Sequence, residues 1–415
     1  MASKKRATQR RQKPAERPRP RKSALAEELD WERAVKLVTS LLVIPGKSGQ
    51  EADVAEFIRR KLRQAGVQAS DIQTDTAHRR TPWEGNTGNL VYKLAGTQRG
   101  PRRLLMAHLD TVPVCVGAQP VRRGKWIRSG HPERGIGADD RAGAAVVLHT
   151  ALEIVRKKLP HPPLTFCWTV QEEVGLHGAR HLNHRLLGRP RLAFNWDGGA
   201  PDKLTIGATG GYRVGIQVHG LASHAGGAPE MGVSAISIAS VAIADLVARG
   251  WHGAVQKGKN IGTSNVGYIH GGEATNVVTD FVKLRAEARS HNATFRKRIV
   301  REIERAFRLA AAQVTSATGI KGRVEFDGHL DYEAFQLPSD DPSLLAAEDA
   351  IRAIGRDPLR AITNGGVDAN WMTARGIPTV TLGCGQLNPH MVTEALDLAK
   401  FRDACRIAYN LATSS

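Results

Sequence analysis

Apolar residues recur every three or four positions near the start of the chain, over 27–44 and 50–65. This spacing predicts two helices, each with one buried face. Farther along, the chain contains four short and continuous apolar runs, at 103–109, 164–170, 191–196 and 377–382. Such runs are typical of buried strands in an open α/β sheet. The pattern therefore predicts one large α/β domain.

A different pattern occupies the segment 209–335. Alternating strand-like runs and two helical runs, 233–248 and 292–314, follow one another there in the order β-α-β-β-α-β. This order is typical of a small antiparallel sheet with helices on one face. Because buried-strand runs resume afterwards, we predict that 209–335 is an inserted α+β domain, between the two parts of the larger domain at 24–208 and 336–415.

Composition excludes a membrane protein. Of 415 residues, 41% are hydrophobic and 24% charged, and no apolar run approaches the roughly 18 residues that span a bilayer. The four cysteines are far apart, with no Cys-x-x-Cys pair, and the start of the chain lacks the apolar core of a secretory signal. These features favour a cytoplasmic protein with reduced thiols.

The formal net charge of +19 is unevenly distributed. Residues 1–22 contain ten Lys or Arg against one acid, Glu16, together with three prolines. This composition predicts that residues 1–23 form a disordered basic tail. The tail is interpreted first as a solvated extension, and the alternative is loose contact with nucleic acid or another polyanion.

Acidic residues and a histidine follow the ends of three predicted strands. His108 and Asp110 close the first, Glu172 and Glu173 the second, and Asp197 the third. In open α/β sheets, chemistry gathers beyond the carboxyl ends of strands. Each of these residues taken alone is also compatible with helix capping or a hydrogen-bonded loop. Together they point to a metal site.

Asp139 lies in a loop of small residues that enters an apolar helix. A carboxylate in that position can bridge two metal ions. The alternative interpretation is that Asp139 or Asp140 only caps the helix.

Six short motifs, in this order, resemble those of the co-catalytic zinc peptidases (M20-type), which include peptidase T and glutamate carboxypeptidase. They are Ala107-His-Leu-Asp-Thr-Val112, Gly137-Ala-Asp-Asp-Arg-Ala-Gly143, Gln171-Glu-Glu-Val-Gly175, Ser223-His-Ala-Gly226, Gly365-Gly-Val-Asp368 and the stretch from His390 to Glu394. The peptidase T branch is the most similar, through Trp196-Asp-Gly-Gly199, Pro229 to Ile236 and Glu287-Ala-Arg-Ser290. The resemblance implies a zinc-exopeptidase domain, with a mixed, mostly parallel sheet between helices, and an inserted lid or dimerisation domain.

The resemblance also implies roles for individual residues. His108 and Asp197 would hold one metal, Glu173 and His390 a second, and Asp139 would bridge them. This ligand set suits two Zn²⁺, or Mn²⁺ or Co²⁺. Glu172 would act as general base on a water activated by both metals, and Asp110 would orient His108. The peptide bond after Asp139 is expected to be cis.

The inserted domain is expected to contribute the remaining residues. The resemblance implies that His224 stabilises the oxyanion across a homodimer interface, and that Asn276 and Arg289 bind a substrate carboxylate. Gly365 and Gly366 would let the backbone approach the substrate. The alternatives are that His224 is an ordinary strand-end histidine and that Arg289 is a structural ion-pair partner.

The motifs predict a dinuclear zinc exopeptidase that cleaves the N-terminal bond of short peptides, as a tripeptide aminopeptidase does. In the family, aspartate at the position of Asp197 goes with aminopeptidases. A carboxypeptidase or an N-acyl-amino-acid deacylase would use the same chemistry and remains the alternative within the hydrolases. An alternative of another class is a polyanion-binding scaffold that uses the basic tail.

Overall fold

The computed structural model describes residues 29–414. The predicted tail, residues 1–23, lies outside the described residues, as do 24–28 and Ser415. The α-helices are α1 (Trp31–Leu42), α2 (Ala52–Gln64), α3 (Ala138–Lys157), α4 (His177–His181), α5 (Ala235–Ala248), α6 (Ala293–Gln313), α7 (Pro342–Ala353), α8 (Ala369–Ala374) and α9 (Leu398–Thr413). No helix among the described residues is both long and apolar enough to cross a membrane.

The strands form three sheets. They are β1 (Ile72–Thr74), β2 (Leu90–Leu94), β3 (Arg103–His108), β4 (Pro120–Arg123), β5 (Trp126–Ser129), β6 (Leu164–Thr169), β7 (Leu192–Trp196), β8 (Lys203–Ala208), β9 (Gly210–His219), β10 (Gly253–Lys257), β11 (Asn260–Gly271), β12 (Phe281–Ser290), β13 (Arg323–Tyr332), β14 (Phe335–Gln336), β15 (Leu359–Thr363), β16 (Thr379–Leu382), β17 (Gln386–Leu387) and β18 (Ala395–Asp397). The four apolar runs of the sequence are β3, β6, β7 and β16, as predicted.

The largest sheet has nine strands in the order β1-β2-β6-β3-β7-β16-β8-β14, with β15 pairing β8. Its centre, β6-β3-β7-β16, is parallel, and the flanking β1, β2 and β14 pair antiparallel. Helices cover both faces: α1, α2, α3, α7 and α9 contribute to the core on one side, while α8 and the 182–187 segment pack on the other. The predicted mixed α/β sheet between helices is confirmed.

Three neighbouring strands of this sheet end at the same edge. His108 ends β3, Gln171 to Glu173 follow β6, and Asp197 follows β7. Since β3 pairs in parallel with both β6 and β7, their carboxyl ends bring these side chains together. The parallel centre of the sheet therefore positions the polar residues that the sequence placed at strand ends.

A second sheet lies within the segment predicted as the inserted domain. Its order is β10-β11-β12-β9-β13 and all its pairs are antiparallel. Helices α5 and α6 pack on one face in a core of their own. Helix α6 buries Phe295, Ile299, Ile303 and Phe307, one turn apart. The prediction missed β10, which forms a hairpin with β11 and adds one strand to the expected order.

A small sheet, β17-β18-β5-β4, pairs strands near the end of the chain with the β4–β5 hairpin. From the sequence we also predict a terminal helix at 393–411, and its start is wrong, because the helix begins at Leu398. Residues Ala395–Asp397 pair with β5 instead, and the Asp397 carboxylate caps α9 by accepting from the backbone N–H of Ala399 and Lys400. In the sequence, the start of α9 is marked by Asp397, a polar residue that follows the apolar pair Ala395 and Leu396.

Candidate metal centre

His108 lies at the end of β3 and is 2% exposed. Its Nε2 is 3.2 Å from Oδ1 of Asp139, and its Nδ1 is 3.1 Å from the backbone oxygen of Asp110. Burial disfavours the imidazolium, but hydrogen bonds to Asp110 and Asp139 raise the pKa of His108 above its usual value. The ring is thus aimed through Nε2 at Asp139.

Asp139 occupies the start of α3, where its backbone is not helical and its peptide bond to Asp140 is cis, as expected. Its two carboxylate oxygens face different histidines. Oδ1 is 3.2 Å from His108 Nε2, and Oδ2 is 3.4 Å from His390 Nε2. Burial opposes its ionisation, yet the hydrogen bonds with both histidines lower the pKa of Asp139. Asp139 therefore lies between two candidate half-sites rather than serving only as a cap.

Glu173 and His390 form the second half-site. His390 Nε2 is 2.8 Å from Oε2 of Glu173. Hydrogen bonds with Asp139 and Glu173 raise the pKa of His390 to about 10. His390 is half-exposed, so this half-site borders solvent.

Asp197 follows β7 and belongs to a tight group with Asp139 and Asp140, in which oxygens of all three lie within 4.8 Å. Burial and then the negative charge of Asp139 raise the pKa of Asp197 to about 7. Asp140 differs from its neighbours, since its oxygens accept from the backbone N–H of His108 and Gly143. We therefore assign Asp140 to support of the backbone, which leaves Asp197 and Asp139 as the candidate ligands.

Proximity alone groups His108 with Asp139 and Glu173. The sequence motifs instead divide the ligands into His108 with Asp197 and Glu173 with His390. We favour the second division, because the two oxygens of Asp139 point to opposite histidines.

The donor spacing fits metal coordination. Two donors that share one tetrahedral Zn²⁺, each at about 2.0–2.2 Å, lie about 3.3–3.6 Å apart. The separations of 3.2 and 3.4 Å from Asp139 to the two histidines are close to this value. The 2.8 Å between Glu173 Oε2 and His390 Nε2 is a direct hydrogen-bond distance that a bound ion would lengthen. Imidazole nitrogens and carboxylate oxygens are also the donor types that such ions prefer. The residues present can therefore hold two ions.

Glu172 adjoins the cluster and is 8% exposed. Its Oε2 lies 4.0 Å from His108 Nε2. No group within the described part of the chain donates a hydrogen bond to this carboxylate, so it is free to accept one from a substrate or water. Burial raises the pKa of Glu172 well above its usual value. These are the properties of a general base.

Asp110 is fully buried and holds three parts of the site. Its carboxylate accepts from the backbone N–H of Glu172 at 2.9 Å and of Glu173 at 3.1 Å. It also lies 3.4 Å from Nδ1 of His108 and accepts from the Ser48 hydroxyl at 2.7 Å. Asp110 thus positions the backbone of both glutamates, beyond the orientation of His108 that the sequence predicted.

Glu394 is a positioning residue that the sequence did not single out. Its Oε2 accepts from the backbone N–H of Ile136 and Gly137, and its Oε1 accepts from Asp139 N–H at 3.0 Å. One carboxylate therefore fixes the loop that carries the shared ligand. The signal available in the sequence was its place four residues after His390.

The predicted residues of the inserted domain lie apart from the cluster. In the described structure, no hydrogen bond or ion pair joins His224, Asn276 or Arg289 to the five candidate ligands. His224 is exposed, and its Nδ1 accepts from the backbone N–H of Gly226 and Gly227. The backbone oxygen of Asn276 accepts from Ala225 N–H, so His224 and Asn276 lie near each other.

Arg289 donates through Nε and Nη2 to both oxygens of Glu287, each at 3.0 Å. This is the ion pair that the sequence left open as an alternative, and it leaves Nη1 available. A Cβ at Gly366 would lie 2.6 Å from the Tyr332 ring, whereas Gly365 has room for one. Packing against Tyr332 therefore accounts for the glycine at 366.

Asp368, in the same motif as these glycines, is 1% exposed and accepts from the Thr169 hydroxyl at the end of β6. Burial raises the pKa of Asp368 to about 6. The sequence quoted this residue only as part of a motif, and its contact with β6 ties that motif to the edge where the glutamates lie.

Comparison with known proteins agrees with this geometry. The model of Peptidase family M20/M25/M40 matches residues 104–414. The chain belongs to this peptidase family. Members of this family hydrolyse peptide bonds and depend on a centre of two metal ions. The chain is therefore a metal-binding hydrolase of peptide bonds.

Similar proteins include a tripeptidase from Staphylococcus aureus, whose structure has a TM-score of 0.82 and 28% identity over 93% of this chain and 98% of that one. The aminopeptidase PepT from Bacillus cereus has a TM-score of 0.78 and 29% identity, with the same coverage of 93% and 98%. Protein YqjE of Bacillus subtilis is 30% identical over 369 residues, 88% of this chain and 94% of its own length. The predicted resemblance to the peptidase T branch is confirmed.

Proposed function

We propose that this member of the M20 family is an aminopeptidase of short peptides that removes the N-terminal residue and uses two Zn²⁺ ions. The observation that carries the proposal is Asp139, whose two oxygens face His108 and His390 at 3.2 and 3.4 Å. A carboxylate shared in this way suits a two-metal hydrolytic centre.

His108 and Asp197 would hold one ion, and Glu173 and His390 the other, with Asp139 common to both. When bound, the two ions would polarise the scissile carbonyl and lower the pKa of the attacking water. The imidazole and carboxylate donors favour Zn²⁺, while Mn²⁺ and Co²⁺ also suit them.

Glu172 would accept the proton of the attacking water at its carboxylate and then deliver it to the leaving amine. Its free carboxylate and raised pKa support this role, because a base must hold the proton between the two steps. Asp110 would keep Glu172 in place through the backbone N–H.

Cleavage at the N-terminus is supported by the likeness to a tripeptidase and to the aminopeptidase PepT. Asp197, rather than glutamate, points the same way. Asn276 and the free Nη1 of Arg289 would bind the carboxylate at the other end of a short peptide. A site that binds both ends of a short peptide would limit the length of the substrate.

We also propose that the inserted domain pairs with a second copy, so that His224 reaches the partner's metal centre. Helix α5 supports this, since its outer face exposes Ile236, Val241 and Val247. His224 supports it too, as it is exposed and no hydrogen bond or ion pair within residues 29–414 joins it to the cluster of its own chain.

The test combines metal analysis with hydrolysis in the wild type, Glu172→Gln and the control Glu84→Gln, which changes an exposed glutamate. We expect about two zinc ions per chain in all three. The wild type and the control should cleave a tripeptide with a free N-terminus and leave the blocked peptide intact. Glu172→Gln should bind the metal and lose activity.

Other results would redirect the assignment. Cleavage of the N-blocked peptide alone would identify a carboxypeptidase or deacylase. Wild-type rates in Glu172→Gln would remove this residue from the mechanism, and a protein free of metal and inactive on both peptides would contradict the proposal as a whole.

A further inference from the structure

A cavity of about 730 Å³ lies outside the candidate metal centre. It is bordered by the β4–β5 hairpin, the first turn of α1 and the start of α9. Six side chains that line it are Trp31, Arg122, Lys125, Arg356, Arg402 and Arg406. We refer to this site as the basic cleft. None of the five proposed metal ligands lines it.

The basic cleft has more cations than its acids can pair. Its only lining carboxylate, Asp403, is shared by Arg356 at 2.6 Å and Arg406 at 3.7 Å. Arg122 pairs with Glu32 at 2.9 Å, a residue outside the lining. The cleft thus keeps an excess of positive charge, which attracts anions.

Lys125 and Arg402 have no carboxylate partner within residues 29–414. Lys125 Nζ lies 5.4 Å from the centre of the Trp126 ring, and the guanidinium of Arg402 lies 5.8 Å from that of Trp31. Both side chains are exposed. They are therefore held over aromatic rings with their hydrogen-bond donors available to a ligand.

The positive surface continues beyond the basic cleft. Arg123 and Arg128 are exposed on the same hairpin, and Lys400 is half-exposed at the start of α9. Trp31, which lines the cleft, lies nine positions after Lys22, the last of the ten cations in residues 1–22. Nine residues span at most about 30 Å. The charge of the tail and of the cleft can thus act on one ligand.

We propose that the basic cleft binds the phosphate backbone of a nucleic acid, without sequence preference. An extended row of phosphates matches cations that spread from the cleft along the hairpin, whereas a single nucleotide would use the cleft alone. A membrane surface fits less well, because no lining side chain is an exposed large hydrophobic residue. This site lies in the catalytic domain, so pairing through the inserted domain would leave it open.

The proposal accounts for a feature that peptide hydrolysis leaves unexplained, the net charge of +19. It does not depend on the peptidase mechanism. Nucleic-acid binding would place the enzyme on RNA or DNA while its metal centre stays accessible.

The test measures binding of a fluorescent 30-nucleotide single-stranded RNA to the full-length chain by anisotropy, between 50 and 200 mM salt. The informative variant is K125Q/R402Q, which removes two charges and breaks no ion pair. Its matched control is R60Q/K61Q on α2. Arg60 and Lys61 also lie over an aromatic ring, Phe57, so the control removes the same charge and the same kind of contact.

We expect K125Q/R402Q to weaken binding about tenfold or more at 100 mM salt and to reduce the slope of log affinity against log salt by about 1.4, two single-strand contacts. The control should change affinity less than about twofold. A third variant, with all ten cations of residues 1–22 replaced by Gln, should weaken binding. The difference between K125Q/R402Q and its control should persist when each is made in this tail variant. Peptide hydrolysis should be unchanged in all three variants.

Several outcomes would overturn the proposal. If K125Q/R402Q and its control weaken RNA binding equally, binding depends on net charge and not on the cleft. If the difference between them disappears when each is combined with the tail variant, the tail is the binding site. Inorganic triphosphate that binds as tightly as the RNA would identify a small phosphate ligand. Preference for vesicles containing phosphatidylserine would identify a membrane surface, and no binding of RNA at 50 mM salt would exclude the site.

Discussion

The metal cluster and the His224 region contrast in how their side chains are held. In the cluster, His108, Asp110 and Asp139 are buried, and backbone N–H groups fix the carboxylates around them. His224 is exposed, and within residues 29–414 the hydrogen bonds of its ring are to Gly226 and Gly227 of its own loop. One chain thus brings the five candidate ligands together, whereas the proposed contribution of His224 would need a change of position or a second chain.

Asp139→Asn is the substitution expected to disturb the cluster most, because both half-sites share this carboxylate. An amide has one fewer acceptor oxygen and no charge, so we expect metal content below two per chain. Tripeptide hydrolysis should fall more than about 100-fold, beyond the effect of residues that only orient ligands. Elemental analysis and rate measurements check this, with Asp53→Asn on α2 as the exposed control. Full metal content with normal activity would disprove the shared role.

His224→Ala tests the proposed role of the exposed His224 region. Loss of an oxyanion donor should lower kcat by about 10²–10³-fold. Metal content should stay the same, since His224 is not among the proposed ligands. His270→Ala, an exposed histidine of the same domain, is the control.

A mixture of His224→Ala with Glu172→Gln shows whether His224 acts across an interface. If it does, the mixed enzyme should recover about a quarter of wild-type activity, because half of the randomly paired dimers each have one complete site. No recovery from chains that do exchange would place His224 within its own chain.

Glu394→Gln should weaken metal binding by about 10- to 100-fold. The amide NH₂ would face the backbone N–H groups of Gly137 or Asp139, which now donate to the carboxylate. Competition with a chromophoric chelator measures the affinity. Cys115→Ala is the control, since it removes only the thiol contact to Glu394 at 3.4 Å. An unchanged affinity would show that the loop keeps its position without this carboxylate.

Metal binding should also depend on pH. In the metal-free fold, the pKa of His390 is raised to about 10 and that of Asp197 to about 7. Ligation requires the deprotonated forms, so metal displaces protons and affinity falls as pH decreases. Between pH 8 and 6 we expect a decrease of about tenfold or more per pH unit, one proton displaced per ion. The same chelator titration measures it, and a flat profile would contradict the raised pKa values.

Much of the fold and of the ligand set could be predicted because it rests on local patterns. Continuous apolar runs revealed β3, β6 and β7, and polar residues after them marked the edge where the ligands meet. Short or mixed segments were not recognised: β10 and the β4–β5 hairpin lack a strong apolar pattern and depend on pairing with neighbours. Tertiary pairing also overrode the helical pattern at β18.

Supporting residues were harder to predict than ligands. The role of Glu394 depends on backbone N–H groups of the 136–139 loop, more than two hundred residues away in the chain. Backbone donors carry no sequence signature, so this contact has no pattern to find. The environment of Arg289 was left open for a different reason: Glu287 lies two residues away on the same face of β12, but the sequence does not show whether the two side chains pair.

The contact between Glu394 and the Asp139 loop has a consequence for synthesis of the protein. Ribosomes make domains from the N-terminus onward. A nascent chain that has reached Leu382 already contains His108, Asp139, Glu173 and Asp197, yet lacks both His390 and the carboxylate that fixes the Asp139 loop. With the proposed ligand set, the metal centre would be completed only after nearly all of this sequence has been translated. A peptidase with its ligands in this order would stay inactive while its own chain is being made.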